Sequence, residues 1–87
     1  MNIPIITGSP PGPFRIIDSV FGYHAIKPER KGTFNLTAAF EGAKDSLRTS
    51  CKSMDGNAVI DCRFDFRLQG QDEFQIFAYG TAVKLLS

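Results

Sequence analysis

Hydrophobic and polar positions alternate most regularly between residues 58 and 68. Every even position in this range is apolar, and every odd position from 61 onward is charged, with the sign alternating along the chain. A strict period of two predicts a β-strand with one dry face and one wet or charge-paired face. The apolar positions are Ala58, Ile60, Cys62, Phe64, Phe66 and Leu68. The charged positions are Asp61, Arg63, Asp65 and Arg67.

Between residues 36 and 54 the apolar spacing changes to three and four, which is typical of one face of an α-helix. The apolar positions of this helix are Leu36, Ala39, Phe40, Ala43, Leu47, Cys51 and Met54. Thr33 or Asn35 is expected to cap its start, and Asp55-Gly56 is expected to end it with a left-handed residue. About twenty residues give about 30 Å of helix, which we expect to cross one face of a small sheet.

Two further segments have the composition of strands. Residues 14–26 are rich in β-branched and aromatic side chains on both faces, which predicts a strand that is bulged near Ser19 or Gly22. Residues 73–85 form the last predicted strand, joined to the one before it by a hairpin around Gly70.

The chain begins with a Pro/Gly-rich segment, residues 1–13, in which residues 3–6 are a candidate edge strand. Together the elements predict an α+β fold in the order β-β-α-β-β. Its mainly antiparallel sheet would be covered on one face by a single long helix. At 87 residues we expect one domain, spanning residues 1–87.

One helix can cover only one face of such a sheet, and the last strand is apolar on both. Phe74, Ile76, Ala78 and Ala82 are on one face, and Phe77, Tyr79, Val83 and Leu85 are on the other. An uncovered patch of this kind exceeds what a monomer usually exposes, which favours self-association. The predicted interface comprises Phe77, Tyr79, Gly80, Val83 and Leu85. The alternative is that the N-terminal segment folds over these residues.

Gly80 is placed in the middle of the last predicted strand, where glycine normally weakens a sheet. Its presence indicates a bulge, a positive φ angle, or close approach by another backbone, for example that of a neighbouring subunit. A flat strand with an incidental glycine is the alternative.

Composition and charge narrow the possible functions. Ten basic and nine acidic residues give a net charge of +1, which argues against binding to nucleic-acid phosphates or to an acidic membrane surface. The hydrophobic content of 43% is that of a folded protein. The chain has neither the pattern of a signal peptide nor an apolar run long enough to span a membrane, so we expect a reducing, cytoplasmic setting.

The candidate metal ligands are Cys51, Cys62 and His24, since soft metals prefer thiolate and imidazole. Both cysteines fall on apolar faces, where a thiol usually acts as a small hydrophobic side chain, so core packing is the leading interpretation. A metal role, including a site shared across subunits, and a disulfide remain alternatives. No cofactor is otherwise expected.

Catalysis and nucleic-acid binding find less support. No nucleophile motif or phosphate loop is present, so we expect no enzymatic activity. The alternating charges of the strand at 58–68 are expected to hold strands in register. Phe64 and Phe66 share the predicted core face and are therefore no stacking platform. A basic turn at Lys27, Arg30 and Lys31 leaves open a weak anion-binding role in an oligomer.

Three motifs in the second half of the chain resemble the YbjQ family of small proteins, also called the putative heavy-metal-binding domain family. They are Gly56-Asn57-Ala58-Val59-Ile60, Arg63-Phe64-Asp65 and Ala78-Tyr79-Gly80-Thr81-Ala82-Val83. The resemblance implies a β-β-α-β-β fold, a homo-oligomer that is a ring of five in the family, and no established activity. This chain has Asp55-Gly56 where the family usually has Gly-Ala.

Overall fold

The computed structural model of the chain describes residues 3–28, 34–69 and 72–86. In these residues the chain forms β1 (Phe14–Ile26), α1 (Leu36–Ser53), β2 (Ala58–Gln69) and β3 (Glu73–Leu85). The three strands make one antiparallel sheet in the order β1-β3-β2. The prediction of an α+β fold with an antiparallel sheet and one helix is confirmed. The predicted hairpin turn around Gly70 lies outside the described residues.

The N-terminal segment pairs with the free side of β2, but only briefly. Its single bridge joins Ile5 to Val59 and is parallel. The Ile6 amide donates to the Val59 carbonyl at 3.0 Å, and the Cys62 amide donates to the Ile6 carbonyl at 3.0 Å. The first strand of the predicted order is therefore reduced to a bridge, because prolines on both sides of it remove backbone donors.

Helix α1 has a clear signal at each end. The side-chain oxygen of Asn35 accepts a hydrogen bond from the Ala38 amide at 3.0 Å, so Asn35 is the N-cap. The other candidate cap, Thr33, lies outside the described residues. At the C-terminal end Asp55 takes the left-handed conformation, with φ 65°, and the Gly56 amide donates to the Cys51 carbonyl at 2.9 Å. No helix in the described part of the chain is long and apolar enough to cross a membrane.

The main core lies between α1 and the sheet. The helix buries four side chains there, namely Ala39, Ala43, Leu47 and Cys51. From β3 the core receives Phe74, Ile76, Ala78 and Ala82, which confirms the predicted inner face of that strand. Because four of these eight side chains are alanines, the helix lies close to the sheet.

Strand β2 contains a β-bulge that the sequence pattern conceals. Its register with β3 shifts between Ile60 and Arg63, and Asp61 has a φ of 52°. The extra residue moves Ala58 and Ile60 to the face opposite Cys62, where they form a second, smaller core cluster with Val83. The prediction of one continuous dry face along even positions is therefore wrong for the first part of β2.

Two other sequence predictions need correction. The bulge of β1 lies between Ile16 and Asp18 rather than near Ser19 or Gly22. The helix covers its face of the sheet only in part, because its 18 residues give about 27 Å whereas strands of 12 and 13 residues extend about 40 Å.

Candidate functional site

The face of the sheet opposite the helix carries four neighbouring aromatic side chains, which we call the aromatic patch: Phe21, Tyr23, Phe77 and Tyr79. The Phe77 ring centroid is 5.2 Å from that of Tyr23 and 6.2 Å from that of Phe21. Phe21 is 57% exposed, Tyr79 45% and Tyr23 42%, whereas Phe77 is half-buried between them. The rings thus form one contiguous surface open to solvent.

Strand register brings the aromatic patch together. Phe21 pairs with Tyr79 and Tyr23 with Phe77 in the antiparallel β1–β3 ladder, so the four side chains project from the same face. Phe77 and Tyr79 were predicted from the apolar outer face of the last strand. Phe21 and Tyr23 were missed, although the alternation of residues 19, 21 and 23 beyond the β1 bulge was a signal for them.

The other three residues of the predicted interface are not part of this open surface. Val83 is fully buried within the chain, and Leu85 is half-buried beside it. A side chain on Gly80 would project toward the opposite face, where it would meet Val59. Val83, predicted on the uncovered face of the last strand, is therefore covered within the chain. The interface prediction as a whole stays a prediction.

The N-terminal segment covers the Val83 end of the helix-free face. Ile6 of this segment packs against the small cluster of Ala58, Ile60 and Val83, next to Phe14 of β1. The alternative in which this segment shields the outer face therefore holds for this end of the sheet. It leaves the aromatic patch open.

A second apolar surface lies on the helix side, where β2 and β3 extend beyond the helix. Phe66 is 66% exposed and Leu68 is 57% exposed, and we call these two residues the hairpin patch. Phe66 stacks on Phe74 with centroids 5.7 Å apart, and Phe74 is 5.6 Å from Phe34. The prediction that Phe66 is a core residue is wrong, because the helix is too short to reach it.

Between the aromatic patch and the small cluster there is an open hollow of about 450 Å³. It is lined by eight residues: Ser19, Val20, Phe21, Asp61, Arg63, Tyr79, Gly80 and Thr81. Asp61 and Arg63 share this space because they lie two residues apart on the same side of β2. The sequence gives no sign of this hollow.

The alternating charges of β2 do not hold strands together. Arg63, Asp65 and Arg67 lie opposite Tyr79, Phe77 and Gln75 of β3, none of which is charged. The ion pairs among the described residues involve none of the four charged side chains of this strand. The predicted role in register is therefore wrong, and Asp61 and Arg63 remain unpaired with each other.

Both candidate thiol ligands are buried in the main core, as predicted, and neither is in a disulfide. Burial raises the pKa of the Cys51 thiol, an effect that a hydrogen bond with the backbone of Ala58 partly offsets. Burial likewise raises the pKa of Cys62, partly offset by the positive charge of Lys44. Thiols of this kind are poorly suited to forming the thiolate that a soft metal needs.

The third candidate ligand, His24, lies on the helix side of β1. A β-carbon on Gly42 of the helix would overlap the His24 imidazole, so the ring occupies the space that this glycine leaves open. Within residues 3–28, 34–69 and 72–86, no three His, Cys, Asp or Glu side chains are grouped in a way that could hold a metal ion. Of the candidate basic turn, Arg30 and Lys31 lie outside the described residues.

Comparisons with known proteins agree with this architecture. The model of the YbjQ family, described as "Putative heavy-metal-binding", matches residues 18–86. A crystal structure of a protein of unknown function from the DUF74 family of Pediococcus pentosaceus superimposes with a TM-score of 0.83 at 17% identity. The superposition covers 94% of this chain and 96% of that one, and it shows a shared fold. No curated protein matches the sequence.

Proposed function

The chain belongs to the YbjQ family, and from that premise we propose that it functions as a homo-oligomeric binding module whose subunits form a ring of five. The observation that carries this proposal is the exposure of the aromatic patch. Aromatic side chains supply much of the binding energy at protein interfaces, and a contiguous apolar surface on a small domain usually marks an interaction site. A second copy of the chain is the partner that we assign to it.

The charge of the chain is compatible with self-association. A net charge of +1 leaves almost no repulsion between copies. Arg63 and Asp65 lie opposite Tyr79 and Phe77 and flank the aromatic patch with opposite signs, so the surroundings of the patch carry no excess of one charge.

The position of the hairpin patch supports a ring rather than a twofold dimer. It lies on the helix side of the sheet, whereas the aromatic patch lies on the other side. A contact between two different patches is heterologous, and such contacts close into rings when the rotation between subunits allows it. A ring with an odd number of subunits requires a contact of this kind.

Two charge substitutions test the proposal, one in each patch. Tyr79→Asp blocks the aromatic patch and Phe66→Asp blocks the hairpin patch. Both side chains are largely exposed, so the subunit should still fold. We expect each variant alone to be monomeric by light scattering. An equimolar mixture should form a pair, because the intact hairpin patch of one variant can meet the intact aromatic patch of the other.

Thr49→Asp, at an exposed position of the helix, is the control, and it should leave the mass of the wild-type assembly unchanged. If Tyr79→Asp dissociates while Phe66→Asp remains assembled, the contact is between like patches and the proposed ring is wrong. If both variants keep the wild-type mass, neither patch is an interface.

The family description favours one alternative, a metal-binding module that uses Cys51, Cys62 or His24 across subunits. In this alternative the free energy of metal binding would have to drive deprotonation of the buried thiols, whose pKa values are raised. Elemental analysis of protein purified without an affinity tag tests it. Stoichiometric zinc or copper that is lost in Cys51→Ala or Cys62→Ala would establish it.

A further inference from the structure

The hollow beside the β2 bulge is lined by hydroxyl, aromatic and charged side chains. The hydroxyl pair and the aromatic pair lie two residues apart along β1 and β3. Ser19 and Thr81 form one cross-strand pair, and Phe21 and Tyr79 form the next. The first pair contributes hydroxyl groups and the second contributes aromatic rings. Rows spaced two residues apart along a strand lie about 7 Å apart, which is the length of a small molecule.

The charged side of the hollow lies at the bulge. In a regular strand, side chains at 61 and 62 would alternate between the faces, and only one would face Gly80. Here the register passes from Ile60 opposite Thr81 to Arg63 opposite Tyr79, so that Asp61 and Cys62 together oppose Gly80. Cys62 enters the core, and Asp61 lines the hollow beside Arg63.

Asp61 is held in an unusual backbone conformation for a strand residue, with a φ of 52°. Non-glycine residues in this region are uncommon, and they concentrate at functional sites where a bulge redirects a side chain. The carboxylate of Asp61 and the guanidinium of Arg63 line the same space, yet they form no ion pair. Both charges are therefore available to a ligand.

We propose that this hollow binds a free α-amino acid with an aromatic side chain. Arg63 pairs with the carboxylate of the ligand, and Asp61 pairs with its ammonium group. The side chain of the ligand packs against Phe21 and Tyr79, the two members of the aromatic patch that line the hollow. One carbon atom carries both charged groups of an α-amino acid, so the ligand can bridge two side chains that do not reach each other.

The charge balance of the hollow favours a ligand that carries both charges. A pure anion would pair with Arg63 but would lie close to the carboxylate of Asp61. A pure cation would pair with Asp61 but would lie close to the guanidinium of Arg63. A zwitterion pairs with both side chains. The volume of about 450 Å³ lies within the range of small-molecule sites. All of these residues come from one chain, so a single subunit holds the complete site. Because Phe21 and Tyr79 also belong to the proposed interface, the ligand and a neighbouring subunit compete for the same two rings.

The test is a titration followed by amide shifts of Ser19, Arg63 and Thr81 in nitrogen-15-labelled protein. The probes are L-phenylalanine, 3-phenylpropanoate, which lacks the ammonium group, and phenethylamine, which lacks the carboxylate. Each lost charge-assisted hydrogen bond should weaken binding about tenfold or more. We therefore expect L-phenylalanine to bind most tightly and each analogue to bind at least about tenfold more weakly.

Matched variants distinguish specific binding in the hollow from nonspecific binding to the exposed surface. Arg63→Gln and Asp61→Asn should each weaken binding of L-phenylalanine about tenfold, and asparagine also tolerates the left-handed backbone. Arg67→Gln and Asp65→Asn remove the same charges from the same strand outside the hollow, and they should leave binding unchanged. Asp61→Asn should not weaken binding of 3-phenylpropanoate, which offers no ammonium group to that position.

The titration is run on the wild-type protein and on Phe66→Asp, whose substitution lies on the opposite face of the sheet. If Phe66→Asp binds saturably and the wild-type protein does not, the site is supported, and a neighbouring subunit covers it in the wild-type assembly. The proposal is overturned if neither form gives saturable shifts at millimolar L-phenylalanine. It is also overturned if the analogues bind as tightly as L-phenylalanine, or if the variants outside the hollow lose as much affinity as those within it.

Discussion

Gly80 lies directly against the backbone of Ile60: a β-carbon placed on Gly80 would be 2.9 Å from the Ile60 carbonyl oxygen. It would also be 2.9 Å from a methyl group of Val59 and 3.3 Å from the Cα of Cys62. The backbone that approaches Gly80 is therefore the bulged segment of β2 within the same chain, not that of a neighbouring subunit. The absence of a side chain at position 80 is what allows two residues of β2 to oppose one residue of β3.

Gly80→Val should lower the free energy of unfolding by about 1–3 kcal/mol, as overpacking of a tight site does, despite the better strand propensity of valine. Thermal unfolding by circular dichroism measures the loss. Gly12→Ala is the control, since a β-carbon at Gly12 has nothing within 4 Å. An unchanged melting temperature for Gly80→Val would contradict the close packing at the bulge.

The sequence predicted each strand and the helix of the described residues because long periodic segments determine element type. It could not locate the β2 bulge. At positions 58–60 both faces of β2 are buried, so Val59 and Ile60 are both apolar and the pattern does not reveal which side each takes. The charged Asp61 then resumes the alternation, and the insertion of one residue leaves no trace in the spacing.

The exposed end of the hairpin was missed for a different reason. Phe66 and Leu68 are apolar and in phase with the core face, so periodicity alone assigns them to the core. They are exposed because the strands extend beyond the helix. The spacing of apolar residues does not show how the helix and the strands are aligned in three dimensions. The aromatic patch was predicted in part, because the lack of a second helix to cover the other face is visible in the sequence.

Asp55→Gly should stabilise the chain by about 0.5–1 kcal/mol. Asp55 has a φ of 65°, a conformation that glycine adopts without the steric cost of a β-carbon. Its contact with Lys84 is 3.9 Å long and its side chain is 97% exposed, so little is lost with the carboxylate. Denaturant unfolding measures the gain, and a lower midpoint for Asp55→Gly would contradict this assignment of the helix end.

Gly56→Ala should have the opposite effect at the neighbouring position. A β-carbon on Gly56 would be 2.7 Å from the sulfur of Cys51, which is fully buried and has little room to move. We expect a loss of about 1–3 kcal/mol in the same denaturant experiment. The double variant Asp55→Gly/Gly56→Ala measures whether the two changes compensate.

Cys51 and Cys62 should react slowly with alkylating reagents until the protein unfolds, because both thiols are buried and their pKa values are raised. Replacing either by alanine should cost about 1–2 kcal/mol through lost packing and a small cavity. Mass spectrometry after timed alkylation follows the first effect. Rapid native-state labelling of one thiol would contradict its placement in the core.

The raised thiol pKa values also make stability depend on pH. A pKa that is higher in the folded state stabilises the protein below the unfolded value of about 8.5, and this contribution is lost as pH rises above it. The difference in unfolding free energy between wild type and Cys51→Ala should therefore narrow from pH 7 toward alkaline pH. A constant difference across that window would mean that Cys51 has the same pKa in both states.

We have proposed that the exposed aromatic patch is an interface between copies of this chain. The most direct test is the mass of the wild-type protein in solution, measured by light scattering at low micromolar concentration. For the proposed ring we expect a stable species of five times 9.6 kDa. A single species of 9.6 kDa that does not change with concentration would contradict it.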